Sequence, residues 1–220
     1  MPDAIDTEKR VAAEAAALLV EDGMATGLGT GSTVAYLLPA LGARRLDISC
    51  VATSPATEAL ARSSGLRVGP FADVARLDIA IDGADQVDPD GWLVKGGGGA
   101  HTREKIVAAA ADQFVVIVSS NKMVTQLSSP IPLEILAFGL TSVLRALPGV
   151  VVRDAPLTPD GGVLADYHGA VDDPERLAAR FSATPGVVGH GLFPPSMVSL
   201  VLVGRGSAVT SLRPGDPAPA

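Results

Sequence analysis

Cysteine is nearly absent from this chain of 220 residues, which contains only Cys50. A single thiol excludes an intramolecular disulfide framework. Because there are also only three histidines, few residues are left from which a Cys/His zinc site could be built. We therefore expect neither a disulfide scaffold nor a metal site.

Basic residues are outnumbered by acidic ones, 17 against 24, so the net charge is −7. The lysines and arginines are not clustered anywhere along the chain. A protein that binds nucleic acid or an anionic membrane usually presents a positive surface. We therefore expect neither of these partners.

Long hydrophobic runs are missing as well. The most apolar segment, LAFGLTSVLRALPGVVV, is broken by Arg145 and Pro148 and does not resemble a membrane-spanning helix. The first residues, MPDAIDTEKR, are polar and acidic, unlike a secretory signal. With 47% hydrophobic and 19% charged residues, the chain has the composition of a folded globular protein. A soluble, cytoplasmic protein is the expectation.

The first part of the chain alternates apolar strands with helical segments. Strands are predicted at MATGLG, LDISCVAT, LDIAIDGAD and FVVIVSS, and helices at EKRVAAEAAALLV, STVAYLLPAL, residues 55–63 and TREKIVAAAAD. This alternation is typical of a parallel sheet with right-handed crossovers. The expected fold class is α/β, with a Rossmann-like catalytic domain over residues 1–129.

The regular alternation of strands and helices ends after Lys122. The segment SSPIPLEI contains two prolines. A helix at LAFGLTSVLRAL and a strand at VVVRD are predicted after it, followed by PLTPDGGVLADYH, which resembles a segment leading into a β-hairpin. A helix at DDPERLAARFSAT, capped by Asp173, and a strand at MVSLVLVGR complete the predicted elements. This pattern predicts a second, smaller α+β domain over residues 130–205. Residues 206–220 are expected to return to the first domain or to be disordered.

A glycine-rich loop, GLGTGSTVAY, separates the first strand from the next helix. Glycines let the backbone approach a ligand closely, and the start of a helix presents unpaired N–H groups to an anion. The hydroxyls of Thr30, Ser32 and Thr33 add donors, which suits a phosphate. The loop lacks the lysine of a Walker motif, and its glycine spacing does not fit a dinucleotide fingerprint. A plain strand-to-helix turn, capped by Ser32 or Thr33, is the competing interpretation.

A second stretch, DGADQVDPDGWLVKGGGGAHTREK, places charged groups around four consecutive glycines. Asp82 and Asp85 follow an apolar strand, at the end where parallel sheets bind ligands. Lys95 precedes the glycines, and Glu104 lies in the first turn of a helix. Taken singly, these residues fit a turn, a surface lysine and a carboxylate at a helix dipole. Together with the glycine-rich loop, they predict a site for a small phosphorylated polyol.

The two stretches, followed by SSNKMV, PIPLEI and GVVGHGLF, have the order and spacing of a known family. The chain resembles ribose-5-phosphate isomerase of type A from about Glu8 to Arg205. The resemblance implies interconversion of D-ribose 5-phosphate and D-ribulose 5-phosphate in the pentose phosphate pathway, without metal or organic cofactor. It also implies a Rossmann-like domain that carries the site and a ferredoxin-like second domain that helps to form a homodimer or homotetramer.

The resemblance also implies roles for individual residues. Glu104 would be the base that moves a proton between C2 and C1 through an enediolate. Asp82 or Asp85 would assist ring opening, and Lys95 would stabilise the negative oxygen. The residues implied to bind the substrate are Thr30, Gly31, Ser32, Thr33, Gly83, Ala84, Gly96, Gly97, Gly98 and Lys122.

Two further positions follow from the same resemblance. Lys9 matches a phosphate-contacting lysine near the N-terminus. His101 stands where the family usually has an aliphatic residue, and we interpret it as a tolerated loop substitution without a catalytic role.

Three other functions stay open at this point. A non-catalytic sugar-phosphate-binding sensor domain would not need a base at Glu104, and such proteins carry a basic helix-turn-helix segment that is not evident here. A nucleotide-binding Rossmann domain is disfavoured by the glycine spacing. A coenzyme A transferase-like enzyme would use a glutamate nucleophile, but the two aspartates and Lys95 fit a polyol better.

Overall fold

Six helices and fourteen strands lie within residues 3–215, the part of the chain that the computed structural model describes. The helices are α1 (Ala4–Ala17), α2 (Val34–Arg44), α3 (Pro55–Ser63), α4 (His101–Ala109), α5 (Leu140–Ala146) and α6 (Pro174–Ser182). The strands are β1 (Ala25–Leu28), β2 (Ser49–Ala52), β3 (Arg67–Val68), β4 (Leu77–Asp82), β5 (Gln86–Val87), β6 (Leu93–Val94), β7 (Ala111–Ser119), β8 (Ile131–Leu136), β9 (Val150–Val152), β10 (Gly162–Tyr167), β11 (Val187–His190), β12 (Leu192–Phe193), β13 (Leu200–Arg205) and β14 (Ala208–Leu212). Within this range, no helix has the length and apolar character needed to cross a membrane.

The main sheet has seven strands in the order β14-β13-β7-β4-β1-β2-β3. Neighbouring strands are parallel except for the antiparallel pair of β13 and β14. The chain runs outward from β1 to β2 and β3 and then crosses back to β4, so the strand order reverses between β1 and β4. Open parallel sheets bind their ligands at such a switch point. The predicted Rossmann-like α/β fold is therefore confirmed.

The central strands are buried on both faces, and β7 illustrates why. Val115 and Ile117 belong to the core that also contains the apolar residues of α1 and α2. Phe114, Val116 and Val118 belong to the core that also contains apolar residues of α4. A strand covered on both faces needs no alternation of polar and apolar residues, and this explains the continuous apolar run in its sequence.

The smaller unit contains a four-stranded antiparallel sheet in the order β11-β8-β10-β9. Its elements follow each other as β8-α5-β9-β10-α6-β11, which is the connectivity of a ferredoxin-like fold. Strand β8 is not evident from the sequence because Pro132 lies inside it. Ile131, Leu133 and Ile135 are all fully buried in the core of this unit, and their packing outweighs the poor strand propensity of proline.

The boundary expected at residue 205 does not match the sheets. Strand β13 pairs with β7 in the main sheet, because Val201 and Val203 complete the core around Phe114. The predicted range 130–205 for the second unit is therefore too long at its C-terminal end. Strand β14 then pairs with β13, so this part of the segment 206–220 returns to the main sheet. Residues 216–220 lie outside the described residues.

A third, short sheet in the order β12-β6-β5 joins the two units. Gly191, just before β12, accepts a hydrogen bond from Lys95 N at 2.8 Å and donates one to Pro132 O at 2.7 Å. A Cβ atom on Gly191 would lie 2.1 Å from Lys95 O. This close backbone contact holds Lys95 between the main sheet and the smaller unit.

Candidate active site

The two stretches singled out in the sequence meet at the carboxyl ends of β1 and β4. A cavity of about 110 Å³ lies between them and the glycine run that precedes α4. It is lined by Thr30, Gly31, Ser32, Thr33, Gly83, Ala84, Asp85, Lys95, Gly96, Gly97, Gly98, Glu104 and Lys122. All the predicted catalytic and substrate-binding residues except Asp82 therefore line one cavity, and Asp82 is paired with one of them.

Lys95 is the centre of a buried charge cluster. Its Nζ atom lies 2.8 Å from Asp82 Oδ2 and 3.2 Å from Glu104 Oε2. It also donates a hydrogen bond to Gly83 O. The three charged side chains are no more than 5% exposed. One ammonium group between two carboxylates leaves an excess negative charge when all three are ionised, so one carboxylate gains a proton easily.

Asp82 is the better stabilised of the two carboxylates. Its Oδ1 atom accepts hydrogen bonds from the N–H groups of Thr30 at 3.1 Å and Gly83 at 2.7 Å. This approach requires glycine at position 29, because a Cβ atom there would lie 2.0 Å from Asp82 Cγ. Burial raises the pKa of Asp82, while Lys95 and the two N–H groups oppose the rise.

Glu104 has fewer contacts that stabilise its negative charge than Asp82 has. No backbone N–H group of the described chain donates to its carboxylate, so Lys95 is its main stabilising contact. Burial and the negative charge of Asp82 raise the pKa of Glu104 to about 8, against the attraction of Lys95. Burial lowers the pKa of Lys95, but Asp82 and Glu104 outweigh it, and the pKa of the ammonium is raised. Near neutral pH, Lys95 is therefore charged and Glu104 is poised to exchange a proton.

The glycine run is held in an unusual backbone conformation. Gly96 and Gly99 have φ angles of 104° and 76°, in a region that strongly favours glycine. Asp85 Oδ2 accepts a hydrogen bond from Gly97 N at 2.8 Å. The N–H groups of Gly96 and Gly98 have no acceptor among residues 3–215, and of the two only Gly98 is exposed.

The hydroxyl groups of the glycine-rich loop are not equivalent. Thr30 Oγ1 lies 2.8 Å from Thr53 Oγ1 and 3.1 Å from Thr57 Oγ1, so this hydroxyl braces the loop against the end of β2 and the start of α3. Ser32 and Thr33 make no side-chain hydrogen bond within the described range, and Thr33, at the N-cap position of α2, makes no capping bond with its side chain. Their hydroxyls remain available to a ligand, in contrast to the simple capping interpretation.

Lys122 brings a cation to the cavity from a third segment. It is the last residue of a 3-10 turn, Ser120–Lys122, that directly follows β7. Glu8 of α1 holds this turn, because its Oε2 atom accepts hydrogen bonds from the N–H group of Ser120 at 2.9 Å and from its hydroxyl at 2.7 Å. A hydrogen bond from the Gly206 N–H group, together with the two bonds from Ser120, lowers the pKa of Glu8. A single acid in an amphipathic helix gives no sequence signal for this role.

Two positions noted in the sequence lie outside the cavity lining. Lys9 pairs with Asp6 at 3.1 Å. His101 was expected in a loop. The structure instead places it as the first residue of α4, where it is fully buried. It packs against Gly96, where a Cβ atom would lie 2.7 Å from His101 Nδ1. Burial lowers the pKa of His101 to about 3, so the ring is neutral.

A larger cleft of about 680 Å³ lies elsewhere, between α4 and the smaller unit. Its lining is mainly apolar and includes Ile106, Leu136 and Val188. None of the predicted site residues lines it. The smaller cavity is the better candidate active site because the charged groups converge there.

The chain is similar to known proteins of one family. The family model for ribose 5-phosphate isomerase A (phosphoriboisomerase A) matches residues 49–208. The chain is 46% identical to ribose-5-phosphate isomerase A of Methanosarcina acetivorans, covering 84% of this chain and 86% of that protein. It is 36% identical to the solved ribose 5-phosphate isomerase A of Methanocaldococcus jannaschii, with a TM-score of 0.88, covering 93% and 97% of the two chains. A further D-ribose-5-phosphate isomerase, solved in complex with phospho-erythronic acid, is 32% identical, with a TM-score of 0.89 and coverage of 95% and 99%. The chain therefore belongs to the ribose-5-phosphate isomerase A family.

Proposed function

We propose that this chain interconverts D-ribose 5-phosphate and D-ribulose 5-phosphate, an aldose–ketose isomerisation of the non-oxidative pentose phosphate pathway. The observation that carries the proposal is the pairing of Glu104, whose pKa is about 8, with the buried ammonium of Lys95 beside the cavity. Membership of the family supports the same reaction.

The substrate phosphate binds at the glycine-rich loop. The start of α2 presents unpaired backbone N–H groups there, and the helix dipole favours an anion. The hydroxyls of Ser32 and Thr33 and the cation of Lys122 line the same cavity. The sugar chain then extends toward Lys95 and Glu104.

Ring opening comes first, because only the open-chain aldose has a carbonyl group at C1. A carboxylate takes the proton of the C1 hydroxyl, the C1 carbonyl forms as the bond between C1 and the ring oxygen breaks, and the proton is returned to the ring oxygen. Asp85 is the better placed aspartate, because it lines the cavity whereas Asp82 is fully engaged with Lys95 and two backbone N–H groups.

Glu104 then removes the proton from C2. The electrons of the C–H bond form a double bond between C1 and C2, and the carbonyl pair moves to O1, which becomes negatively charged. The ammonium of Lys95 and the free N–H group of Gly98 stabilise that charge; loss of one such donor typically costs about 10²–10³-fold in rate. Transfer of the O2 proton to O1 and return of the proton from Glu104 to C1 give the ketose.

We also propose that the protein forms a homodimer or homotetramer through its smaller unit and acts in the cytoplasm. Large apolar side chains are exposed on that unit, among them Phe138 at 98%, Val151 at 57% and Val188 at 52%. Burying such a side chain contributes about 1.5–3 kcal/mol. Analytical ultracentrifugation of wild type and Phe138→Ser tests this proposal, and a wild type that stays monomeric at high concentration contradicts it.

The cytoplasmic location follows from a phosphorylated substrate, whose charge prevents its passage across membranes.

The experiment that tests the activity follows formation of ribulose 5-phosphate from ribose 5-phosphate by EDTA-treated protein. We expect turnover by the wild type and by Glu14→Gln, an exposed glutamate of α1, and loss of turnover in Glu104→Gln. A wild type that binds ribose 5-phosphate without converting it would instead be a sugar-phosphate sensor. Full activity of Glu104→Gln would remove the base assignment while leaving the isomerase in place.

A further inference from the structure

Arg153 of the smaller unit holds the glycine run of the main unit. Its Nη1 atom donates hydrogen bonds to Gly96 O at 3.0 Å and to Gly97 O at 3.2 Å. Arg153 follows β9, far from the glycines in sequence, and none of the motifs that identify the site includes it. The contact ties the position of the catalytic loop to the other unit.

Asp166 fixes the orientation of this guanidinium group. Asp166 Oδ2 accepts from Arg153 Nε, and Asp166 Oδ1 accepts from Arg153 Nη2, both at 2.7 Å. Both side chains are 18% exposed. A guanidinium bonded in this bidentate way has its remaining edge in a defined direction, and that edge faces the two glycine carbonyls.

The direction of these carbonyls determines where the neighbouring N–H groups point. In a planar trans peptide, the C=O group and the following N–H group point in opposite directions. Because Gly96 O points to Arg153, Gly97 N–H points away from it and reaches Asp85 at 2.8 Å. Because Gly97 O also points to Arg153, Gly98 N–H is directed away from Arg153. Gly98 lines the cavity, and this N–H group has no acceptor within the described chain.

We propose that Arg153 is a positioning residue for the isomerisation, which aims the Gly98 N–H group at the oxygen that becomes negative and keeps Gly97 bonded to Asp85. Glycines restrict the backbone least of all residues, and Gly97 and Gly98 are both exposed. Without the two hydrogen bonds from Arg153, the peptide between them is free to rotate. Arg153 has this role only if the chain is the isomerase proposed above.

Arg153→Lys is the most informative variant. It keeps the positive charge, but an ammonium group cannot bond both carbonyls while paired twice with Asp166. We expect kcat to fall about 10- to 100-fold, part of the loss typical for one oxyanion donor, with KM changed by less than about threefold. Asp166→Asn should give a smaller loss in the same direction. Arg76→Lys, which alters another bidentate Arg–Asp pair far from the cavity, is the matched control.

Inhibition constants separate positioning from a merely structural role. Phospho-erythronic acid carries a carboxylate in place of the reacting end of the sugar, whereas inorganic phosphate probes only the phosphate site. We expect Arg153→Lys to weaken inhibition by phospho-erythronic acid by a factor similar to its loss in kcat and to leave inhibition by phosphate unchanged.

Two results overturn the proposal while the wild type remains an active isomerase. One is wild-type kcat in Arg153→Lys. The other is equal weakening of both inhibitors together with a lowered Tm, which indicates general disturbance of the fold. If Arg153→Lys does not fold, Asp166→Asn decides by the same criteria, because it leaves Arg153 in place. A wild type without isomerase activity would instead refute the proposed function.

Discussion

Replacing Glu104 by glutamine should stabilise the protein at alkaline pH even though it abolishes catalysis. The pKa of Glu104 is raised from an ordinary value of 4.5 to about 8. Between these pH values the folded protein holds a proton that the unfolded chain has released. The contribution of Glu104 to the free energy of unfolding therefore falls as the pH rises through this window and levels off above about pH 8. Glutamine does not titrate and escapes this loss.

The magnitude follows from the size of the shift. Each pH unit corresponds to about 1.4 kcal/mol, so a raised pKa of this size limits the gain to about 5 kcal/mol. Near pH 5 the folded wild type already carries a neutral Glu104, and the two proteins should differ by about 1 kcal/mol or less. At pH 8.5 we expect Glu104→Gln to be at least about 2 kcal/mol more stable, which corresponds to a rise in Tm of about 4–8 °C for a chain of this length.

Urea unfolding at a series of pH values measures this difference directly. Wild type, Glu104→Gln and the exposed control Glu14→Gln should be compared at one protein concentration, because self-association would also contribute to stability. We expect the difference between Glu104→Gln and wild type to grow from pH 5 to pH 8.5, and the difference for Glu14→Gln to stay flat. A Glu104→Gln curve parallel to that of the wild type would refute the burial and charge environment assigned to Glu104.

Three other predictions concern activity. Because Glu104 must be deprotonated to act as base, kcat/KM for ribose 5-phosphate should rise with pH and level off above about pH 8; a profile flat from pH 6 to 9 contradicts this. Gly29→Ala would place a Cβ atom 2.0 Å from Asp82 Cγ. Activity assays should show that kcat falls more than about 10²-fold. Urea unfolding should show that the free energy of unfolding falls by about 1–3 kcal/mol. Its control, Gly69→Ala, has no atom within 4 Å of the added Cβ and should behave like the wild type. Lys122→Met should raise KM about 10-fold or more with kcat largely unchanged, as expected for a phosphate contact; an unchanged KM removes Lys122 from the site.

The residues of the cavity could be predicted because their chemistry is concentrated in short segments. Asp82, Lys95 and Glu104 lie within one stretch, and together with the glycine-rich loop they indicate a site at the ends of the strands. What the sequence could not show is how each group is used. The hydroxyl of Thr30, for example, contacts Thr53 and Thr57. This contact forms only when β1 and β2 lie side by side, so a local sequence pattern does not reveal it.

No local sequence pattern indicates which residues support the site from a distance. Glu8 reaches Ser120 across more than half of the chain, and Arg153 reaches the glycine run from the other unit. Both are ordinary charged residues in ordinary elements. Their roles depend on tertiary packing, which a local pattern does not encode.

The fold shows the same division between local and tertiary information. The Asp173–Pro174 start of α6 was predictable, and Asp173 does cap the helix by accepting a hydrogen bond from Arg176 N at 2.9 Å. Strand β8, by contrast, contains Pro132 and forms because its apolar residues fill the core of the smaller unit. Strand β13 was predictable as a strand, but its sheet depends on which core its valines complete.

The claim that Glu104 is the base is tested most directly by proton exchange. Ribose 5-phosphate should be incubated in D₂O with wild type or Glu104→Gln, and deuterium at C1 of ribulose 5-phosphate and at C2 of ribose 5-phosphate followed by NMR. We predict that the wild type introduces deuterium as it isomerises the sugar, and that Glu104→Gln does neither while phosphate still binds to it. Exchange at wild-type rate in Glu104→Gln would show that another group removes the proton and would contradict the mechanism.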